Sequence, residues 1–139
     1  MLQIGYLIIC EDVIREKNHS IIQKPLPVIN PINIPGNFTF KVAFSMFEDI
    51  DNPMADQKQT LNVIITDPKN NEIFNSGQLF IEANYNQDSE DKRIRVAEAD
   101  MGITNLELKH KGIHTITLTL NDNTKTLDFP VILKEELDD

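Results

Sequence analysis

Four times along the chain, apolar residues recur at every second position, and a period of two is the pattern of a half-buried strand rather than a helix. Between Asn37 and Phe47, the residues Phe38, Phe40, Val42, Phe44 and Met46 share one face, while Thr39, Lys41 and Ser45 take the other. Leu61, Val63 and Ile65 alternate with Asn62 and Thr66; Ile116, Leu118 and Leu120 alternate with Thr115, Thr117 and Thr119. Leu127, Phe129, Val131 and Leu133 alternate with Thr126 and Asp128. Each segment reads as a strand with one core face and one wet face, which is the habit of antiparallel sheets. Weaker strands are expected at Gln3–Cys10, Ser20–Gln23, Glu72–Phe74, Gln78–Ala83 and Arg93–Glu98.

The turns carry their own chemistry. Asp67-Pro68-Lys69-Asn70-Asn71 and Asn121-Asp122-Asn123 hold residues that tolerate the left-handed region and predict tight connections. Pro130, inside the last strand, cannot donate to a ladder, so that strand is expected at a sheet edge. Pro25, Pro27, Pro31 and Pro35 rule out helix or central strand over their span. They lack PxxP spacing, and Val28, Ile29, Ile32 and Ile34 among them call for burial, so the stretch reads as an extended crossover rather than a proline-recognition ligand. The expected fold is all-β: a two-sheet antiparallel β-sandwich of about seven or eight strands with little or no helix. With 139 residues the chain suits one domain, here 1–133, followed by a short acidic tail, 134–139.

The run Leu106-Glu-Leu-Lys-His-Lys-Gly-Ile-His114 and the alternating strand after it resemble the corner that opens the penultimate strand of immunoglobulin-like sandwiches, with His114 where that family has Tyr. The whole-chain order is also similar to a family of small bacterial domains of unknown function. The matching features are the apolar strand with its acidic step, Ile8-Ile9-Cys10-Glu11-Asp12, then Leu26-Pro27, a long alternating strand and a closing Gly-x-aromatic hairpin. Both resemblances imply a fold and no activity.

Charge and chemistry narrow the function classes. The net charge is −9, and no Lys/Arg cluster offsets it; Lys92-Arg93-Ile94-Arg95 lies beside Asp88, Glu90 and Asp91. Such a surface repels phosphate backbones and anionic headgroups, so neither nucleic acid nor membrane is an expected partner. Cys10 is the only cysteine, which forbids an intramolecular disulfide. Its apolar run is short and lacks the marks of a lipoprotein cleavage site, so a buried inert thiol in a cytoplasmic protein is expected.

No Gly-x-Ser-x-Gly, His-Glu-x-x-His or phosphate-cradling glycine loop occurs, and the three histidines are scattered. His114 shares the parity of Ile116 and Leu118 and is expected in the core, whereas His110 sits in the polar turn Lys109-His110-Lys111. The expectation is no enzyme and no cofactor. A Ca²⁺ site is the alternative: the loops Glu48–Lys58, Tyr85–Asp91 and Asn121–Thr124 would emerge at one end of a sandwich. There Asp49, Asp51, Asp88 and Asp91 would offer the hard oxygens that Ca²⁺ takes in C2-type domains, though without a fixed ligand spacing. The primary expectation is a non-catalytic module that binds a protein partner or itself through its loops or strand edges.

Overall fold

The computed structural model describes residues 2–17, 19–49, 59–81 and 94–137, with the backbone alone at Asp49. Nine strands are described: β1 (Gln3–Glu16), β2 (His19–Pro25), β3 (Gly36–Asp49), β4 (Gln59–Thr66), β5 (Glu72–Asn75), β6 (Leu79–Ile81), β7 (Ile94–Leu108), β8 (Gly112–Leu120) and β9 (Asn123–Val131). One helical turn, α1 (Lys134–Leu137), follows. The strands make two antiparallel sheets, ordered β2-β1-β3-β7 and β5-β4-β8-β9, with β6 also on β4. The chain is an all-β sandwich.

Alternation dictates what lies between the sheets. Phe40, Val42, Phe44 and Met46 of β3 face Leu61, Val63 and Ile65 of β4 and Ile116, Leu118 and Leu120 of β8, and all are buried. Phe129 from β9 stacks obliquely on Phe40, with ring centroids 6.3 Å apart. Removing a Leu or Phe side chain of this kind from water stabilises the fold by about 1.5–3 kcal/mol.

The turns follow their residues. Asn70 and Asn121 sit at φ 63° and 53°, where Asn is tolerated. The Asp67 carboxylate accepts from the N–H of Lys69 and of Asn71, both at 2.9 Å. Burial opposes ionisation of Asp67, yet those two N–H groups and the Asn71 side chain outweigh it and lower the carboxyl's pKa. Pro130 lies in an edge strand, as its missing donor requires. Its carbonyl accepts from Ile29 N–H at 2.9 Å, and Ile29 makes a parallel bridge to Val131. The proline-rich crossover thus buries Ile29 and caps the β9 edge.

Two strands run further than their sequence suggests. The strand expected at Gln3–Cys10 continues to Glu16, and the one expected at Arg93–Glu98 continues to Leu108. Leu106 and Leu108 therefore close β7, ahead of the corner that leads into the penultimate strand. That strand, β8, begins at Gly112, whose φ of 120° and contact with Pro68 exclude a side chain.

Candidate functional site

Among the described residues, Cys10 and His114 are not brought together. Cys10 is completely buried, on the face of its sheet that points away from the second sheet. Burial, and then the charge of Asp100, push its thiol pKa up, which suppresses the reactive thiolate. His114 is completely buried on the inner face of the other sheet, so the β1–β3 sheet separates it from Cys10. Its Nδ1 lies 3.1 Å from the Gly112 carbonyl oxygen, its ring packs on Phe129, and its Nε2 has no hydrogen-bond partner among the described residues. Burial lowers the imidazole's pKa, holding it neutral.

The strand ends at Asp49, Gln59, Ile81, Ile94 and Leu120 gather at one end of the sandwich, where Asn123 Nδ2 donates to the Leu2 carbonyl. Of the proposed Ca²⁺ ligands, however, Asp51, Asp88, Asp91 and the side chain of Asp49 lie outside the described residues. Among the described residues no three His, Cys, Asp or Glu side chains are grouped to hold a metal ion. No described helix is long and apolar enough to cross a membrane.

What the fold does build is a groove along β7. This strand ends its sheet, and among the described residues only β3 forms a ladder with it. Which backbone groups face outward follows from the ladder. Ile9 C=O accepts from Leu26 N–H on the β2 side, at 2.9 Å, so Ile9 turns away from β3 and its neighbours Ile8 and Cys10 turn toward it. Ala43 and Lys41, their partners, therefore face β1, and the intervening Val42, Phe44 and Met46 face β7. On β7 the residues paired to these, Met101, Ala99 and Ala97, spend their N–H and C=O on β3. Val96, Glu98, Asp100 and Gly102 direct theirs to the free edge.

Beside that edge the two sheets part. A cavity of about 500 Å³ opens there, floored by Phe44, Met46 and Leu61 and walled by Ala97 and Ala99 on one side and Leu79 and Ile81 on the other. The small alanines leave the space. On the outer faces of the same strands Phe80 is 66% exposed, and Ile94 and Val96 are exposed as well.

An arm crosses the outer face of the same sheet. Pairing of β1 with β3 stops at Cys10↔Lys41, but pairing with β2 continues to Glu16↔His19. The arm is rooted on one side of β3, and its tip is tied to β7 on the other. Arg15 Nη2 pairs with Asp100 at 2.9 Å, Arg15 Nη1 donates to the Glu98 carbonyl at 3.1 Å, and Ser20 N–H donates to the Glu98 carboxylate at 2.9 Å. Asp100 and Glu98 stand opposite Ala43 and Ser45, so the arm passes over β3 at those two residues. This explains why Ala43 and Ser45 are buried although they alternate with the core-facing Val42, Phe44 and Met46.

A polar layer lines this crossing. Tyr6 Oη donates to Glu98 at 3.0 Å; burial, then that bond and the carboxylate's charge, raise the phenol's pKa. Lys41 pairs with Asp12 at 3.0 Å and reaches Asp100 at 3.9 Å. The Lys41–Asp12 bond raises the pKa of the amine and lowers that of the carboxyl. Tyr6, Arg15, Ser20, Glu98 and Asp100 carry no motif. Their only trace in the sequence is the pair of small residues Ala43 and Ser45 on an otherwise wet face. Comparison of the chain with protein-family models, curated proteins and solved structures finds no match.

Proposed function

We propose that the chain is a non-catalytic protein-binding module that takes an extended peptide segment as an added strand along β7. The observation that carries this reading is the outward-facing backbone of Val96, Glu98, Asp100 and Gly102 running beside an apolar groove. Main-chain bonds supply affinity in strand addition, and pockets for alternate side chains supply specificity. A peptide lying on β7 would place every second side chain between Ala97, Ala99 and Leu79, and the remainder beside Glu98 and Asp100. With a net charge of −9 and two carboxylates at this rim, the complementary segment is apolar at alternate positions and basic between them.

The strand order supports an immunoglobulin-like sandwich. β1-β3-β7 and β4-β8-β9 follow the A-B-E and C-F-G orders of that architecture. The architecture hosts many functions, so the groove and not the fold carries the proposal.

Panning a phage-displayed random peptide library against the protein tests it. Enriched sequences should alternate apolar and basic residues. Their binding should fall on Leu79→Asp, in the groove, and persist on Thr117→Asp, on the outer face of β8. Failure to enrich, or binding indifferent to Leu79→Asp, overturns the reading. A concentration-dependent dimer abolished by Leu79→Asp would replace the peptide with a second copy of the chain.

A further inference from the structure

The arm formed by residues 11–17 and 19–24 meets β7 through polar ties, and one tie falls on the edge described above. Glu98 C=O points away from β3, so it belongs to the row of acceptors that an added strand needs. Arg15 already occupies it, at 3.1 Å. Edge strands are commonly shielded by a covering segment, and here the shield is held by side chains rather than by a ladder. Resting on the strand-addition reading for its purpose, we propose that the arm is a hinged strap that closes over the β7 edge through Arg15 and Ser20 and opens to admit a strand.

Three features support a hinge. The root has a fixed end, because Cys10↔Lys41 and Cys10↔Pro25 are the last rungs that bind β1 on both sides. Part of the fastening is in contact with water: the Arg15 side chain is 53% exposed, although its partner Asp100 is 19% exposed and the Ser20–Glu98 bond is half-buried, and ion pairs with an exposed partner are weak. The arm also brings little apolar surface to the sheet. Val13 and Ile22 are half-buried, whereas the cross-strand pair Ile14 and Ile21 on its far face is 39% and 42% exposed. Beneath it lie the small side chains of Ala43 and Ser45, which a closed strap covers completely and an open one exposes. Ser20 Oγ, buried there without a partner among the described residues, adds nothing to the closure. Opening therefore breaks a few charge-assisted bonds and uncovers little apolar area. It needs no rearrangement of the core.

The single cysteine makes the opening measurable. Cys10 sits under the root, fully buried, and its labelling by N-ethylmaleimide in the folded state reports the fraction of time the strap is open. Arg15→Gln removes two of the three bonds of the tip, leaves the Ser20–Glu98 bond, and spares the three groups that act electrostatically on the thiol, Asp100, Lys41 and Asp12. Labelling should accelerate about three- to tenfold in Arg15→Gln, and by a similar factor for the wild type in molar NaCl, with the midpoint of global unfolding little changed. A second reporter, Ala43→Cys in a Cys10→Ala background, sits at the crossing and should respond in parallel. A peptide recovered by panning should bind Arg15→Gln more tightly by the same factor.

Labelling rates unmoved by Arg15→Gln and by salt, at both reporters, would show the arm to be a fixed layer and overturn the proposal. Faster labelling with unchanged peptide affinity would overturn it too, because the strap would then open without guarding the edge. Faster labelling when neither protein binds any peptide would support the hinge and refute strand addition instead.

Discussion

Replacing Gly5 by alanine would put a methyl group against Ser45 Oγ, the oxygen that accepts from Tyr6 N–H at 2.9 Å in the bulge of β1. The other atoms near that methyl, Ser45 Cβ at 3.5 Å and Phe47 Cδ1 at 3.7 Å, are in ordinary contact. Ser45 can yield by turning about χ1, but the Tyr6 N–H then loses its partner, at a cost of about 1–3 kcal/mol. Alanine restricts the unfolded chain and returns about 0.4–1 kcal/mol. Gly5→Ala should therefore destabilise by up to about 2.5 kcal/mol, the difference of these terms. Ser45→Ala alone loses the same hydrogen bond and should cost about 1–3 kcal/mol. Together the two changes no longer collide, so in the Ser45→Ala background Gly5→Ala should stabilise, by about 0.4–1 kcal/mol. Urea unfolding of the four proteins, with unchanged m, gives the cycle directly. If Gly5→Ala costs the same in both backgrounds, the oxygen is not where the structure puts it.

Three further outcomes are expected. Leu118→Ala should lower stability by about 2–5 kcal/mol, read from the urea midpoint, because Leu118 is fully buried between the sheets. His114 has a folded pKa below its ordinary 6.5, so the unfolded chain binds the extra proton first as the pH falls. Stability from this residue is full above pH 6.5 and declines below it; His114→Leu should flatten the slope between about pH 7 and pH 5, and an unchanged slope would contradict the burial argument. Millimolar Ca²⁺ should raise the melting temperature no more than NaCl of equal ionic strength; a Ca²⁺-specific rise abolished by Asp51→Asn would make the acidic loops a metal site.

The inner faces were readable because burial on one side forces a period of two, and β3, β4, β8 and β9 obey it. Pro130 and the Asn turns were readable because each has one backbone requirement that few positions meet. The arm was not. Past Cys10 the residues Glu11, Asp12, Arg15 and Glu16 are polar on both faces, since that part of β1 leaves the core, and alternation has nothing to record. β7 was cut short for two reasons. Its inward positions are the small Ala97 and Ala99, and a bulge beside Phe38 and Phe40 shifts the parity between Ile103 and Leu106. The groove and the strap arise where those two strands meet across β3, and no local pattern encodes that juxtaposition.

Amide hydrogen exchange along β7, measured with and without a peptide recovered by panning, is the most direct test of strand addition. Ala97, Ala99 and Met101 already donate to β3, so their exchange should change little. Val96, Glu98, Asp100 and Gly102 face the open edge, and each should gain protection when the strand is added. Protection in that every-other-residue pattern is the predicted result. Uniform protection along β7, or protection confined to another strand, would contradict it.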